Sequence, residues 1–142
     1  MGLIQSLKNK RVYFDTNIII YLIEGFPEYQ KSVDEIQEVL ETSQCVAITS
    51  DITICESLIK PFKDNYLEGI KIFRSFLEES GIFELIPTAR STYIKASLVS
   101  ATQSLKLPDA IHVATAIQSR CDIFLTNDKS IKTPNSITKL SL

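Results

Sequence analysis

The sequence predicts an α/β protein: a three-layer sandwich with a mostly parallel sheet of four to five strands between two layers of helices. Two observations carry that prediction. Short β-branched and aromatic runs alternate with longer helical patterns along all 142 residues. The joins between them are short, so successive strands lie parallel and the helices cross over both faces. No repeat, low-complexity tract or linker breaks the alternation, and residues 1–142 are expected to form one domain.

Each element has a local reason. Arg11-Val12-Tyr13-Phe14 reads as the first strand, and Asn17 to Glu24 as an apolar helix stopped by Gly25 and Pro27. Residues 28–43 are helical by period, with Val33, Ile36, Val39 and Leu40 on one face. Cys45 to Ile48 is a second strand. Thr49-Ser50-Asp51 then offers an N-cap for a helix through Glu56 to Pro61. The next helix, about 64–79, puts Tyr66, Ile70, Phe73 and Leu77 on one stripe and ends at Gly81. Ile82 to Ile86 is a third strand. After Pro87 a long helix aligns Ile94, Leu98, Ala101 and Leu105 as its buried stripe. Pro108 opens another helix, where its missing N–H costs least, and Ala110 to Ile117 is apolar nearly all round. Asp122 to Leu125 is a fourth strand, and Ser136 to Leu140 a fifth at an edge.

Composition narrows the function classes. Hydrophobic residues make up 44% and charged residues 23%, an ordinary globular balance that excludes disordered and collagen-like chains. The longest apolar candidate for a membrane span, Val12 to Ile23, is interrupted by Asp15 and Asn17 and has no small-residue cleavage site for a signal peptide. Three scattered cysteines, Cys45, Cys55 and Cys121, lack a CxxC pair and fit reduced thiols in a cytoplasm. Met1 to Ser6 matches a myristoylation pattern, but six loosely specified positions match often by chance.

In parallel sheets ligands sit beyond the carboxyl ends of the strands. Asp15 directly follows the first strand and Asp128 lies just past the fourth. Each acid has a bland reading. Asp15 suits an N-cap. Glu56 is mid-helix, so its ordinary fate is a solvated face or a pair with Lys60 at i+4. Asp109, in the first turn after Pro108, suits the helix dipole. Asp128 suits a turn. Basic neighbours Arg11, Lys60, Lys106 and Lys129 could pair with them one by one. Their joint placement argues otherwise. All four fall where strand ends meet helix starts, beside the most hydrophobic segments. Clustered carboxylates repel, and a hard divalent cation removes that repulsion. Two such ions about 4 Å apart align a phosphodiester and lower the pKa of a water.

The segments Phe14-Asp15-Thr16-Asn17, Glu56-Ser57-Leu58-Ile59-Lys60-Pro61, Leu107-Pro108-Asp109-Ala110-Ile111-His112-Val113-Ala114-Thr115-Ala116 and Leu125-Thr126-Asn127-Asp128-Lys129 resemble the PIN domain, the fold of VapC-type toxin ribonucleases in toxin–antitoxin pairs. The resemblance covers essentially the whole chain. It implies Mg²⁺ or Mn²⁺ held by Asp15, Glu56, Asp109 and Asp128, directly or through water, with Asn17 and Thr126 as polar residues of the same pocket. It also implies hydrolysis of RNA by a metal-activated water. The partners expected are an RNA substrate, an antitoxin protein and a second copy of the chain.

Other constellations lose. His112 lies near Asp109 on one helical face, and a lone histidine in an apolar helix is more often a packed, hydrogen-bonded residue than a site residue. The four glycines are dispersed and form no phosphate-cradling loop, and no GxSxG elbow exists. Tyr66, Phe73 and Phe76 read as core or dimer contacts, not a base-stacking platform. The formal net charge is -2, but the four acids account for more than that, so the rest of the chain is net basic. Residues 22–56 hold eight acids and one base, whereas residues 57–142 hold eight acids and eleven bases. RNA is therefore expected to approach the later half, with Lys60, Lys63, Arg90 and Lys106 as phosphate contacts. The competing readings are a non-catalytic RNA- or protein-binding domain of the same fold, and a haloacid-dehalogenase-like phosphatase. The phosphatase needs an aspartate two residues after its nucleophile, where this chain has Asn17. Lost repulsion is expected to make Asp128→Asn more stable than wild type in EDTA.

Overall fold

Successive strand side chains point to opposite faces, and Val12, Tyr13 and Phe14 do so into two separate cores. The computed structural model describes residues 2–142. In chain order it contains α1 (Leu3–Leu7), β1 (Arg11–Phe14), α2 (Thr16–Glu24), α3 (Gln30–Glu41), β2 (Val46–Ser50), α4 (Asp51–Lys63), α5 (Leu67–Arg74), β3 (Phe83–Ile86), α6 (Arg90–Gln103), α7 (Leu107–Gln118), β4 (Ile123–Leu125) and β5 (Thr138–Leu140). A 3₁₀ turn at Pro27–Tyr29 precedes α3, and a π turn at Ser75–Glu79 extends α5.

The five strands form one sheet in the order β3-β2-β1-β4-β5, and all four pairings are parallel. Tyr13, Ile48 and Phe124 face one core, where Ala96, Val99, Ala110, Val113 and Ala114 of α6 and α7 cover them. Val12, Phe14, Ala47, Ile123 and Leu125 face the other, under Leu7, Ile18, Ile19, Ile36, Val39 and Phe73. These are the three expected layers, and all five expected strands are present within two residues of their expected ends. The chain leaves β1 toward β2 on one side and returns to β4 on the other. The crevice between β1 and β4 is thus the topological switch point, where α/β sheets bind ligands.

Three local readings are corrected. The stripe expected to be buried on α6 is its solvent face: Ile94 is 66% and Leu98 55% exposed, while Thr92, Ala96 and Val99 are buried. Both sets have helical spacing, and the smaller set wins because Ala96 lets α6 approach the alanine-rich α7 closely. Leu105 is buried, but beyond the helix end. On the 64–79 segment, Phe73 and Leu77 are buried as expected but Tyr66 is exposed, because Asn65, at φ 50°, separates α4 from α5. The N-terminal apolar residues form a helix that was not expected; Leu7 is buried, Leu3 and Ile4 pack on the same core, and Met1 lies outside the described residues. No helix of the described residues is long and apolar enough to cross a membrane.

Candidate functional site

Asp15 leaves the end of β1 and its main-chain N–H donates to the Leu125 carbonyl of β4 (3.0 Å), which seats it in the switch crevice. It is the N-cap of α2: Oδ1 accepts from the Thr16 N–H at 2.8 Å. Capping uses one oxygen only. Oδ2 accepts from the Thr126 hydroxyl (2.6 Å) and the Asn17 amide (3.2 Å), and the Asn17 amide also donates to Thr126 Oγ1 (3.3 Å). The Asn17 carbonyl accepts from the Asn127 N–H at 3.2 Å, tying the start of α2 to the loop after β4. Asn17 and Thr126 therefore lie where the sequence places them, in the same pocket as Asp15.

Glu56 is on α4, with neither Lys60 nor solvent as its main partner. Its Oε1 accepts from the Thr16 hydroxyl (2.7 Å) and lies 2.6 Å from His112 Nε2. The same nitrogen is 3.6 Å from Asp15 Oδ1. Burial opposes ionisation of Glu56. The His112 hydrogen bond and charge and the Thr16 hydroxyl outweigh it, and the carboxyl is held below the ordinary glutamate value. His112 is 1% exposed, so the packed reading holds, yet it also touches two of the candidate acids.

Asp109, near the start of α7, is in the opposite condition. Burial pushes its carboxyl above the usual aspartate value, and the charges of Asp128, Asp15 and Glu56 push it further, against a smaller opposing effect of His112. Asp109 is thus within electrostatic reach of the other three acids. Asp128 serves its own turn: Oδ1 accepts from the Ser130 hydroxyl (2.6 Å) and N–H (2.9 Å). These bonds hold its carboxyl below the usual value, with Lys139 and Lys106 adding to the effect. Asp128 is therefore not the acid whose charge is uncompensated, and the expected gain in stability belongs to Asp109 instead.

None of the four acids is locked to a lysine or arginine; among the described residues their ion pairs are both to His112. Arg11 instead donates to the Ser119 carbonyl (2.9 Å) and reaches Glu84 at 3.8 Å. The donor set, carboxylate and hydroxyl oxygens, suits a hard divalent ion such as Mg²⁺ or Mn²⁺. Among the described residues, no group of three or more His, Cys, Asp or Glu side chains is arranged closely enough to hold a metal ion. Beside the acids, Thr126, Asn127, Asp128, Lys129, Lys139 and Tyr29 line a cavity of about 340 Å³. Of the basic candidates, Lys106 acts on Asp128, Lys60 lines a separate cavity of about 460 Å³, and Lys63 and Arg90 end α4 and begin α6.

Sequence reasoning missed the contacts behind Glu56: the Thr16 hydroxyl, His112 and the Tyr13 hydroxyl. The hydroxyls expected to cap α4 are recruited elsewhere: Ser50 Oγ meets the Tyr13 hydroxyl (2.8 Å), while Thr49 Oγ1 donates to the Phe14 carbonyl (2.9 Å) and meets Thr53 (2.7 Å). Tyr13 OH lies 2.7 Å from His112 Nδ1. The available signal was a phenol inside a buried parallel strand, which needs a partner for its hydroxyl.

Comparison with known proteins bears on the family and the fold. A toxin–antitoxin complex from Klebsiella pneumoniae contains a chain 26% identical, matched over 89% of this chain and 95% of that one, with a TM-score of 0.67. VapBC2 of Rickettsia felis, bound to a promoter DNA fragment, is 15% identical over 92% and 97%, with a TM-score of 0.69. VapC20 of Mycobacterium tuberculosis, a toxin cleaving the sarcin-ricin loop, is 11% identical over 83% and 90%, with a TM-score of 0.66. Comparison with curated protein sequences gave no match. The PIN domain model matches residues 12–135, from β1 to beyond the turn that carries Asp128, and on that match the chain belongs to the PIN domain family.

Proposed function

We propose that the protein is a divalent-metal-dependent endoribonuclease, the toxin of a toxin–antitoxin pair, acting in the cytoplasm as one domain and as a homodimer. The observation that carries the reading is the convergence of Asp15 and Glu56 on His112 at the switch point, with Asp109 in electrostatic reach of Asp15, Glu56 and Asp128 and no lysine or arginine paired to any of the four. The relatives support the biological setting: the Klebsiella chain comes from a toxin–antitoxin complex, and VapC20 is a toxin that cleaves the sarcin-ricin loop.

Asp15, Glu56, Asp109 and Asp128 would hold Mg²⁺ or Mn²⁺. When bound, the ion would offset the repulsion among the acids, lower the pKa of a water and stabilise the leaving oxygen. The chain's own residues prepare for this. Thr126 and Asn17 aim Asp15 by two bonds to Oδ2, and the Thr16 hydroxyl donates to Glu56 Oε1. Lys106, Lys60, Lys63 and Arg90 would meet RNA phosphates. The phosphatase reading fails on Asn17, whose amide carries no titratable proton and is committed to Asp15 and Thr126.

Purified protein, freed of contaminating ribonuclease, is expected to cleave RNA with Mn²⁺ or Mg²⁺ and not in EDTA, and Asp15→Asn to abolish cleavage while the fold remains. Equal activity in EDTA, or in a folded Asp15→Asn, rejects the assignment, and no cleavage by the folded wild type with either metal favours the non-catalytic domain. Co-purification of a small antitoxin encoded beside the gene tests the toxin role.

A further inference from the structure

We infer that His112 is a positioning residue for Glu56, and that Tyr13 holds the imidazole in the orientation this requires. The inference rests on the reading of Glu56 as a site acid, given above, and assigns a task to two buried side chains that reading does not use.

The geometry is a chain of four polar groups. Ser50 Oγ, Tyr13 OH, His112 and Glu56 Oε1 follow one another at 2.8, 2.7 and 2.6 Å. Three of the four residues are sealed: Tyr13 and Ser50 are 0% and His112 1% exposed. Chemistry fixes the direction of the last contact. An ionised carboxylate only accepts, so the proton between Glu56 and the ring is carried by Nε2. Nδ1 then faces the Tyr13 hydroxyl, which burial keeps protonated by pushing its ionisation far up. Packing restrains the ring as well, with the Tyr13 and His112 rings edge to face at 5.7 Å and Tyr13 stacked on Phe124 at 5.1 Å.

Both donors to Glu56, Thr16 Oγ1 and His112 Nε2, converge on the same oxygen, Oε1. Among the described hydrogen bonds none engages Oε2. Glu56 is thus fixed by one oxygen and presents the other. A carboxylate on a long, flexible side chain, 32% exposed on α4, gains from such fixing in a way that Asp15, already capping α2, does not. Partners of this kind orient metal-binding groups, and removing them typically weakens metal affinity or activity by about 10- to 100-fold.

The test uses the full chain and Mn²⁺ as the probe. Free Mn²⁺ is measured by electron paramagnetic resonance, and RNA cleavage gives kcat and KM, for wild type, His112→Leu, His112→Gln and Tyr13→Phe, each checked for folding by circular dichroism. His112→Leu is expected to lose about 10- to 100-fold in Mn²⁺ affinity and in kcat, with little change in KM. His112→Gln, whose amide nitrogen can occupy the place of Nε2, recovers most of that loss, and Tyr13→Phe loses less than His112→Leu. Wild-type Mn²⁺ affinity and kcat in a folded His112→Leu overturn the inference, as does a His112→Gln no better than His112→Leu. A wild type that neither binds Mn²⁺ nor cuts RNA sinks the proposed function instead. The contact is then judged by itself, because this is the only histidine in the chain and its ¹⁵N imidazole signals need no assignment. A proton on Nε2 supports the positioning contact, and a neutral ring with Nε2 bare overturns it.

Discussion

The two halves of the site are built in opposite ways. On the Asp15–Glu56 side, the protein donates hydrogen bonds to both acids: Thr16, Asn17 and Thr126 serve Asp15, and Thr16 and His112 serve Glu56. On the Asp109 side, burial and neighbouring negative charge act together and the carboxyl is raised. One half is pre-organised; the other is frustrated. The difference teaches which acid a cation would relieve most, since a carboxyl that resists ionisation among other acids is relieved either by its own proton or by a cation.

The largest expected effect breaks the frustrated half. Asp109→Asn keeps shape and removes charge, and RNA cleavage is expected to fall by about 10³-fold, the equivalent of ~4 kcal/mol in the barrier. Next, Mn²⁺ at a hundredfold excess over its Kd is expected to stabilise the wild type by about 2.7 kcal/mol, with a smaller gain in Asp109→Asn, read as melting temperatures with and without EDTA. On the pre-organised side, Tyr13→Phe leaves Ser50 and His112 without their shared hydroxyl, and urea unfolding should show a loss of about 1–3 kcal/mol.

Acidity separates the halves by sign. Glu56 is lowered on folding, so its ionised form contributes stability above its unfolded value, and that contribution is lost as pH falls through the folded value. Asp109 is raised, so the native state holds its proton more tightly and stability falls as pH rises through the folded value. In EDTA at neutral pH, Asp109→Asn is therefore expected to melt above wild type, with the gap closing toward acid; a gap that widens toward acid contradicts the assignment. The smallest effect is Lys106→Ala, which should weaken RNA binding across sequences and reduce the salt slope by about 1.

Much of this was legible in the chain. Asp15 and Thr126 follow strands whose boundaries are marked by β-branched and aromatic runs, so their place at the sheet edge follows from order alone. Asp109 is marked by Pro108 and the apolar helix behind it. The misreadings have one physical origin: a one-dimensional pattern records spacing and not what packs opposite. Ile94 and Leu98 have the spacing of a core stripe, but Ala96 and Val99 meet α7. Ser50 has the chemistry of a cap, but the Tyr13 hydroxyl 37 residues away claims it. His112 likewise reads as packed until the fold brings Glu56 to its Nε2.

Anomalous diffraction at the manganese edge from Mn²⁺-soaked crystals tests most directly whether the four acids share a cation. The account predicts a peak bounded by the carboxylates of Asp15, Glu56, Asp109 and Asp128, with Asp128 released from Ser130 or joined to the ion through water. An empty map at that place, from protein that cleaves RNA in the same Mn²⁺ solution, would contradict it.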